Sequence, residues 1–129
     1  MAGAAKGLKE LKKRGIRILG GGDYGFFVTP HGENARDLEH LIRYCDFSPM
    51  ESLLTMTKHG GAAMDLPNDL GQIQEGFLAD LLLVKGDPLV DPGVLLNREK
   101  MVAVMKNGQF HRAPPARSIN EDGNCKLQS

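Results

Sequence analysis

The feature that most constrains this chain is an apolar run that ends in glycines and is followed at once by a carboxylate. Ile16, Ile18 and Leu19 have the β-branched and apolar character of a buried strand. The glycines at 20–22 permit the sharp backbone turn that ends such a strand. Asp23 is therefore expected at the carboxyl end of a strand, where α/β folds collect ligands and catalytic groups. An aspartate after glycines is also a common turn residue or helix cap, and the sequence alone leaves that alternative open.

Chain length and charge limit the class of protein. With 129 residues the chain can form one modest domain, but not a complete eight-stranded α/β barrel, which needs about 250 residues. Its 16 basic and 16 acidic residues cancel, which argues against nucleic acid or an anionic membrane surface as a partner. Apolar runs such as Leu81 to Val84 are too short to span a bilayer. We therefore expect a soluble protein whose partners are small molecules or other proteins.

Cysteine spacing and the N-terminal residues bear on the cellular compartment. Cys45 and Cys125 lie far apart and match no metal-binding or redox spacing. Met1 is followed by small and basic residues, not by the apolar core of a signal peptide. The expectation is a cytoplasmic protein with reduced thiols.

Apolar spacing predicts two helices around the glycine-rich stretch. The first covers residues 4–14 on the surface, with Gly15 placed as its C-terminal cap. The second covers 34–45, where the apolar positions repeat with helical spacing and Asn34 is placed as an N-terminal cap.

A third helix is predicted from residue 48, because Ser48-Pro49-Met50-Glu51 combines a capping box with proline at the first helical position. We expect Gly60-Gly61 to weaken or end this helix. Its predicted buried stripe consists of Met50, Leu53 and Leu54.

The second half of the chain has a β pattern. Residues 70–73 predict a short strand, and residues 78–84 predict a buried strand. Residues 101–106 and 109–112 flank Asn107-Gly108, which is the strongest short signal for a β-hairpin.

The loop that follows Asp23 carries two aromatic residues and a histidine. Phe26, Phe27 and His31 are suited to line a pocket beyond Asp23, and equally suited to cover the core. The imidazole of His31 can coordinate a metal or exchange a proton at neutral pH, so it is a candidate for ligand contact.

Five segments in a fixed order carry a resemblance to a known family. In chain order they are residues 15–18 running into Gly22-Asp23, His-Gly-Glu-Asn-Ala-Arg-Asp-Leu-Glu at 31–39, Ser-Pro-Met-Glu at 48–51, residues 71–84, and Val-Met-Lys-Asn-Gly at 104–108. Together they resemble the C-terminal part of the amidohydrolase superfamily. The branch they resemble most is the imidazolonepropionase-related one, which includes hydrolases of ureas, carbamates and acylated amino acids. The resemblance covers most of residues 8–112.

The resemblance implies an α/β fold and a division into three parts. Residues 1–70 would form the last helix-strand-helix unit of a metal-dependent (β/α)8 barrel, together with the active-site loop and the helices that follow. Residues 71–112 would supply the C-terminal strands of an accompanying β-sandwich. Residues 113–129, which are polar and lack periodicity, would form a flexible tail.

The resemblance also assigns roles to individual residues. Asp23 matches the family's metal ligand and catalytic proton shuttle. A divalent metal such as zinc lowers the pKa of bound water to about 7, so a neighbouring carboxylate can take its proton. His31, Tyr24 and Phe26 are the implied contacts to a small-molecule substrate. The implied reaction is hydrolysis of carbon–nitrogen bonds other than peptide bonds, in amides, ureas or carbamates, or of related esters.

The family's other metal ligands have no match in this chain. They include a His-x-His pair from the first barrel strand and further groups from the fourth, fifth and sixth strands. The chain's histidines do not occur at matching positions; they are His31, His40, His59 and His111. Because a zinc site needs three or four protein ligands, we expect the chain to be inactive alone.

A strand without parallel neighbours predicts association. Residues 16–19 would expose unpaired backbone groups on both sides, which favours a homo-oligomer or pairing with a complementing N-terminal portion. The alternative function is a non-catalytic, self-associating or assembly module derived from an amidohydrolase.

Overall fold

The computed structural model describes residues 2–115, 117–119 and 125–127, and shows a mixed α/β fold. The helices are α1 (Ala2–Lys13), α2 (Arg36–Cys45), α3 (Pro49–Met56) and α4 (Lys58–Ala63). The strands are β1 (Leu81–Val84), β2 (Met101–Lys106), β3 (Gln109–Arg112), β4 (Arg117–Ile119) and β5 (Cys125–Leu127). Two short 3₁₀ helices, Pro92–Leu95 and Arg98–Lys100, lie between β1 and β2. Among the described helices, none has the length and apolar character needed to cross a membrane.

Helix α1 ends as the sequence predicts. Gly15 has a φ of 71°, a left-handed conformation that glycine adopts without steric cost. Its N–H donates to the carbonyl of Lys12 (2.9 Å), and the N–H of Ile16 donates to the carbonyl of Leu11 (3.1 Å). These bonds satisfy carbonyls that the helix end would otherwise leave unpaired, and they direct the chain back along α1.

The core lies between α1, α2 and the turn that follows α2. Leu41, Cys45 and Phe47 are buried together, and Leu8 and Ile18 pack against them. Helix α2 was predicted to be capped by Asn34, and this is wrong, because the N-cap position is Ala35 and no side chain caps the helix. The backbone carbonyls of residues 33–35 accept the first helical N–H groups in tight turns, so the helix has no need of a side-chain cap.

Helix α3 has the predicted capping box. The Ser48 hydroxyl accepts the N–H of Glu51 (3.2 Å), and the Glu51 carboxylate accepts the N–H of Ser48 (2.8 Å). The predicted buried stripe is wrong, because Met50 is 50% exposed while Ser52 and Thr55 are fully buried. Small side chains let α3 approach α2 closely, and the Ser52 hydroxyl donates to the carbonyl of Leu38 in that contact (3.0 Å).

The boundary between α3 and α4 is not at the glycines. Thr57, with φ −107° and ψ −95°, separates the two helices, and Gly60 and Gly61 lie inside α4. A Cβ added at Gly61 would lie 2.5 Å from the carbonyl oxygen of Leu70. Gly61 is therefore explained by close packing and not by helix termination.

Residues 16–19 have no regular secondary structure and do not form a strand, which corrects the sequence-based expectation. Within the described part of the chain, the backbone of residues 17–20 makes no hydrogen bond. Ile16 is 54% exposed and Leu19 is 47% exposed, although Ile18 faces the core. A strand exists only when a neighbour completes its ladder, and the described residues supply no such neighbour.

Strands β1, β2 and β3 form an antiparallel sheet in that order. The β2–β3 hairpin is confirmed, with Asn107 and Gly108 both at positive φ (47° and 76°), as a type I′ turn requires. Asp80 secures this turn, because its carboxylate accepts the N–H of Asn107 (2.7 Å) and the ammonium of Lys106 (3.1 Å). These bonds lower the pKa of Asp80, the Asn107 N–H having the larger effect.

Two β predictions are wrong. Residues 70–73 form bends, not a strand, and β1 begins at Leu81 instead of residue 78. Strand β1 was also expected to be buried, whereas Leu81, Leu82 and Leu83 are 38%, 46% and 55% exposed. The sequence has the composition of a strand covered on both faces, and in the described residues no second layer covers it.

The segment predicted as a flexible tail is described in part. Strands β4 and β5 pair antiparallel, with Arg117 opposite Leu127 and Ile119 opposite Cys125. Residues 116, 120–124 and 128–129 lie outside the described residues. Flexibility of the tail therefore stays a prediction.

Candidate functional site

Asp23 is exposed and lies in the loop that follows residues 16–19. Its backbone carbonyl accepts a hydrogen bond from the Thr29 hydroxyl (2.7 Å). The same loop is closed by the Gly25 N–H, which donates to the carbonyl of Thr29 (2.7 Å). The backbone at Asp23 is thus attached to the far side of a short turn, while its carboxylate makes no hydrogen bond or ion pair with any described residue.

A second carboxylate, Asp37, lies close to this loop from the first turn of α2. One of its oxygens accepts the N–H of Gly21 (3.0 Å), and the other accepts the hydroxyl of Tyr24 (2.9 Å). Burial raises the pKa of Tyr24 to about 12, and the hydrogen bond to Asp37 and its negative charge act in the same direction. Tyr24 therefore remains a neutral hydrogen-bond donor at ordinary pH.

The predicted substrate contacts lie on the outer part of the loop. The His31 ring is exposed and packs over Gly25, where an added Cβ would lie 2.9 Å from His31 Nε2. Phe26 is 62% exposed and pairs with Thr29 in an isolated β-bridge. The structure brings His31 and Tyr24 into the same loop as Asp23, and their roles as substrate contacts stay predictions.

A concave surface is formed beside residues 18–22. It is an open, mainly apolar groove of about 790 Å³ between α1, α2 and residues 18–22. Its apolar walls include Ala4, Ala5, Leu8, Ile18, Leu19 and Tyr44. Asp23 and His31 do not line it, but Gly21, Gly22 and Asp37 do, so the groove adjoins the Asp23 loop.

The donor set of this chain does not fit a metal ion by itself. Among the described residues, no group of three or more His, Cys, Asp or Glu side chains is placed to hold one. A structural or catalytic zinc needs three or four protein ligands, and Asp23 offers a single carboxylate. Any metal bound through Asp23 would need further ligands from outside the described residues.

The family assignment follows from sequence comparison. The sequence model of the amidohydrolase family matches residues 4–110, which is most of the chain. The chain belongs to the amidohydrolase family. The family-level resemblance is therefore confirmed, and the matched region includes α1, the Asp23 loop, α2, α3, α4 and most of the β2–β3 hairpin.

This amidohydrolase chain is similar to an ochratoxinase, a putative prolidase and a Xaa-Pro dipeptidase. Ochratoxinase from Aspergillus niger is 26% identical over 111 residues, which is 85% of this chain and 22% of the relative. The crystal structure of a putative prolidase from Bifidobacterium longum is 29% identical, with a TM-score of 0.78 over 88% of this chain and 28% of that one. A Xaa-Pro dipeptidase with bound methionine in its active site is 27% identical, with a TM-score of 0.74 over 84% of this chain and 25% of that one.

The chain spans about a quarter of the length of these amidohydrolases. Its mixed α/β structure corresponds to one part of each, as the TM-scores show. Sequence reasoning identified that part, but it missed Asp37, whose acidic side chain in a first helical turn has an ordinary explanation in the helix dipole.

Proposed function

We propose that this chain supplies the last part of the barrel of a metal-dependent amidohydrolase and contributes Asp23 to its metal centre. The observation that carries the proposal is the carboxylate of Asp23, which makes no hydrogen bond with a described residue and follows residues 17–20, whose backbone has no hydrogen-bond partner in the described part of the chain. In this proposal residues 17–20 complete a parallel sheet with strands from outside the described residues. The same strands bring the histidine ligands that this chain lacks.

The substrate class is proposed from the relatives. One relative is a Xaa-Pro dipeptidase and another is a putative prolidase, so both names point to an amide bond between two amino acids. We therefore favour a small amide such as a dipeptide or an acylated amino acid over a urea, a carbamate or an ester. This choice adds the amide bond of a dipeptide, which the class expected from the sequence excluded.

The experiment compares the chain alone with the chain supplied with a barrel. The chain is co-expressed with the putative prolidase of Bifidobacterium longum from which the matching segment has been deleted, and hydrolysis of Xaa-Pro dipeptides is measured with added Zn²⁺. We expect no turnover by the chain alone and turnover by the co-purified pair. Asp23→Asn in the pair should lower kcat/KM by about 100-fold or more, because a metal ligand is lost.

Asp69→Asn is the matched control, since Asp69 is also an exposed aspartate but lies outside the loop. It should leave turnover unchanged. A stable one-to-one pair without metal-dependent turnover would overturn the proposal. So would robust Zn²⁺-dependent turnover by the chain alone that Asp23→Asn abolishes.

A non-catalytic assembly module is the second candidate. It is favoured by the exposed leucines of β1 and the unpaired backbone of residues 17–20, both of which suit self-association. Sedimentation of the purified chain tests this reading. A stable symmetric oligomer without metal or turnover would favour the module, and a well-folded monomer would contradict it.

A further inference from the structure

We infer that Asp37 is a positioning residue, which holds the backbone of Gly21 and the side chain of Tyr24 on either side of Asp23 and so fixes the direction of that carboxylate. The catalytic meaning of this inference rests on the proposed function. The positioning of the loop by Asp37 does not rest on it, because it concerns contacts among the described residues.

The two hydrogen bonds of Asp37 end on either side of Asp23. One reaches the N–H of Gly21, two residues before Asp23, and the other reaches the hydroxyl of Tyr24, one residue after it. A single carboxylate therefore holds both flanks of the loop residue. We call Asp37 with these two partners the Asp37 clamp.

The clamp is built on a rigid support. Asp37 lies in α2 next to Leu38, which is 2% exposed, and one turn before the buried Leu41. A carboxylate on a packed helix loses little further freedom when it binds a loop, so its hydrogen bonds constrain the loop and not the helix. The loop thereby takes its position from the core.

The glycine inside the clamp is also explained by it. A Cβ added at Gly22 would lie 2.7 Å from Cε2 of Tyr24 and 3.3 Å from a carboxylate oxygen of Asp37. The Tyr24 ring therefore folds over Gly22 so closely that only glycine fits without a shift. This contact is independent of the two hydrogen bonds and points to the same arrangement.

Opposite the clamp, the Thr29 hydroxyl holds the carbonyl of Asp23 itself. Three hydrogen bonds thus hold the Gly21 N–H, the Asp23 carbonyl and the Tyr24 hydroxyl, whereas the Asp23 carboxylate makes none with a described residue. Outer-sphere groups that orient a metal ligand affect metal affinity or activity by about 10–100-fold when removed. The clamp also gives Tyr24 a role in orienting Asp23 in addition to its predicted place in the pocket wall.

The test measures amide hydrogen exchange in the isolated chain by NMR, without metal or substrate. We expect Asp37→Ala to raise the exchange rate of the Gly21 amide by about tenfold or more, because a hydrogen bond to a charged group is lost. Asp37→Asn should give a smaller increase, since its amide oxygen can still accept one of the two bonds. Tyr24→Phe should raise the amide exchange rates of residues 21–24 less than Asp37→Ala does.

Glu39→Ala is the matched control, because Glu39 is the other acidic residue in the first turn of α2. It removes the same helix-dipole interaction but should leave Gly21 exchange unchanged. Equal Gly21 exchange in the original chain and in Asp37→Ala would overturn the inference. An equal increase at Leu41 in the core of α2 would do so too, because it would show that the helix unfolds.

A second measurement separates this inference from the proposed function. In the active pair, Asp37→Ala should lower Zn²⁺ affinity by about 10–100-fold. If the pair has no turnover, the exchange results still decide whether the clamp exists. If the clamp is absent, the effect of Asp23→Asn on turnover still decides the proposed function.

Discussion

Lys12 joins the end of α1 to the α2–α3 corner, and its replacement gives the sharpest test of the fold. Its ammonium donates to the carbonyl of Asp46 (2.6 Å) and to the carboxylate of Glu51 (2.8 Å). It also lies 4.4 Å from the centre of the Phe47 ring. Lys12→Met removes these three interactions and keeps most of the apolar stem, so the change reports on the charge and not on packing.

The expected loss in the free energy of unfolding follows from the type and exposure of each interaction that Lys12 makes. A hydrogen bond from a charged group to a carbonyl contributes about 1.5 kcal/mol. The ion pair contributes only about 0.5 kcal/mol, because the side chains of Lys12 and Glu51 are 27% and 47% exposed. The cation–π contact adds about 0.5 kcal/mol, and the freed side chain returns a similar amount of entropy. We expect Lys12→Met to lower the free energy of unfolding by about 2 kcal/mol.

Urea unfolding, followed by circular dichroism at constant protein concentration, measures this loss. With an m-value of about 1.5 kcal/mol/M, the midpoint should fall by about 1 M. Lys13→Met is the matched control, because Lys13 is the exposed neighbour in the same last turn of α1 and should change the free energy by less than about 0.5 kcal/mol. Equal shifts for Lys12→Met and Lys13→Met would refute the reasoning.

Two further predictions concern pH and packing. The hydrogen bond from Lys12, with those from Ser48, lowers the pKa of Glu51 from 4.5 to about 2. The resulting stability is fully present above the ordinary pKa of 4.5 and is lost as the pH falls towards 2, so the urea midpoint should drop between about pH 5 and pH 2 in the original chain and drop less in Glu51→Gln. Gly61→Ala should cost about 1–3 kcal/mol in the same assay, because the new Cβ meets the Leu70 backbone. Gly60→Ala, whose Cβ has room, should instead stabilise α4 by about 0.5–1 kcal/mol, and the opposite order would contradict the packing argument.

Local signals in the sequence predicted those parts of the fold that local interactions determine. The Ser48–Glu51 capping box and the Asn107-Gly108 turn were found because each depends on residues within a few positions of one another. Residues 16–19 were predicted to form a strand from their apolar members and do not, because ladder formation depends on a neighbour. Burial of Ser52 in place of Met50 depends on how closely two helices approach, which helical spacing does not encode.

In the candidate site too, local sequence signals identified one residue, and a contact that depends on tertiary packing was missed. Asp23 was identified from the glycines before it and was expected at the end of a strand; it lies in a loop after residues that form no strand, and its role as a metal ligand stays a prediction. The partner of Tyr24 could not be found, because Asp37 is thirteen positions away in sequence and meets the loop only after α2 packs on the core. Residues 31–39 are one of the five segments that resemble the family, but the contacts of Asp37 with Gly21 and Tyr24 are visible only in the folded chain.

The thiol of Cys45 can report chemically on the opening of the contact between α1 and α2. The thiol is free and buried, and it forms part of the wall of the groove between α1 and α2. With Cys125 changed to serine, the rate at which a thiol reagent modifies Cys45 measures how often α1 lifts away from α2. A companion polypeptide seated in that groove would slow the modification, so docking can be followed by mass spectrometry before any turnover is detected.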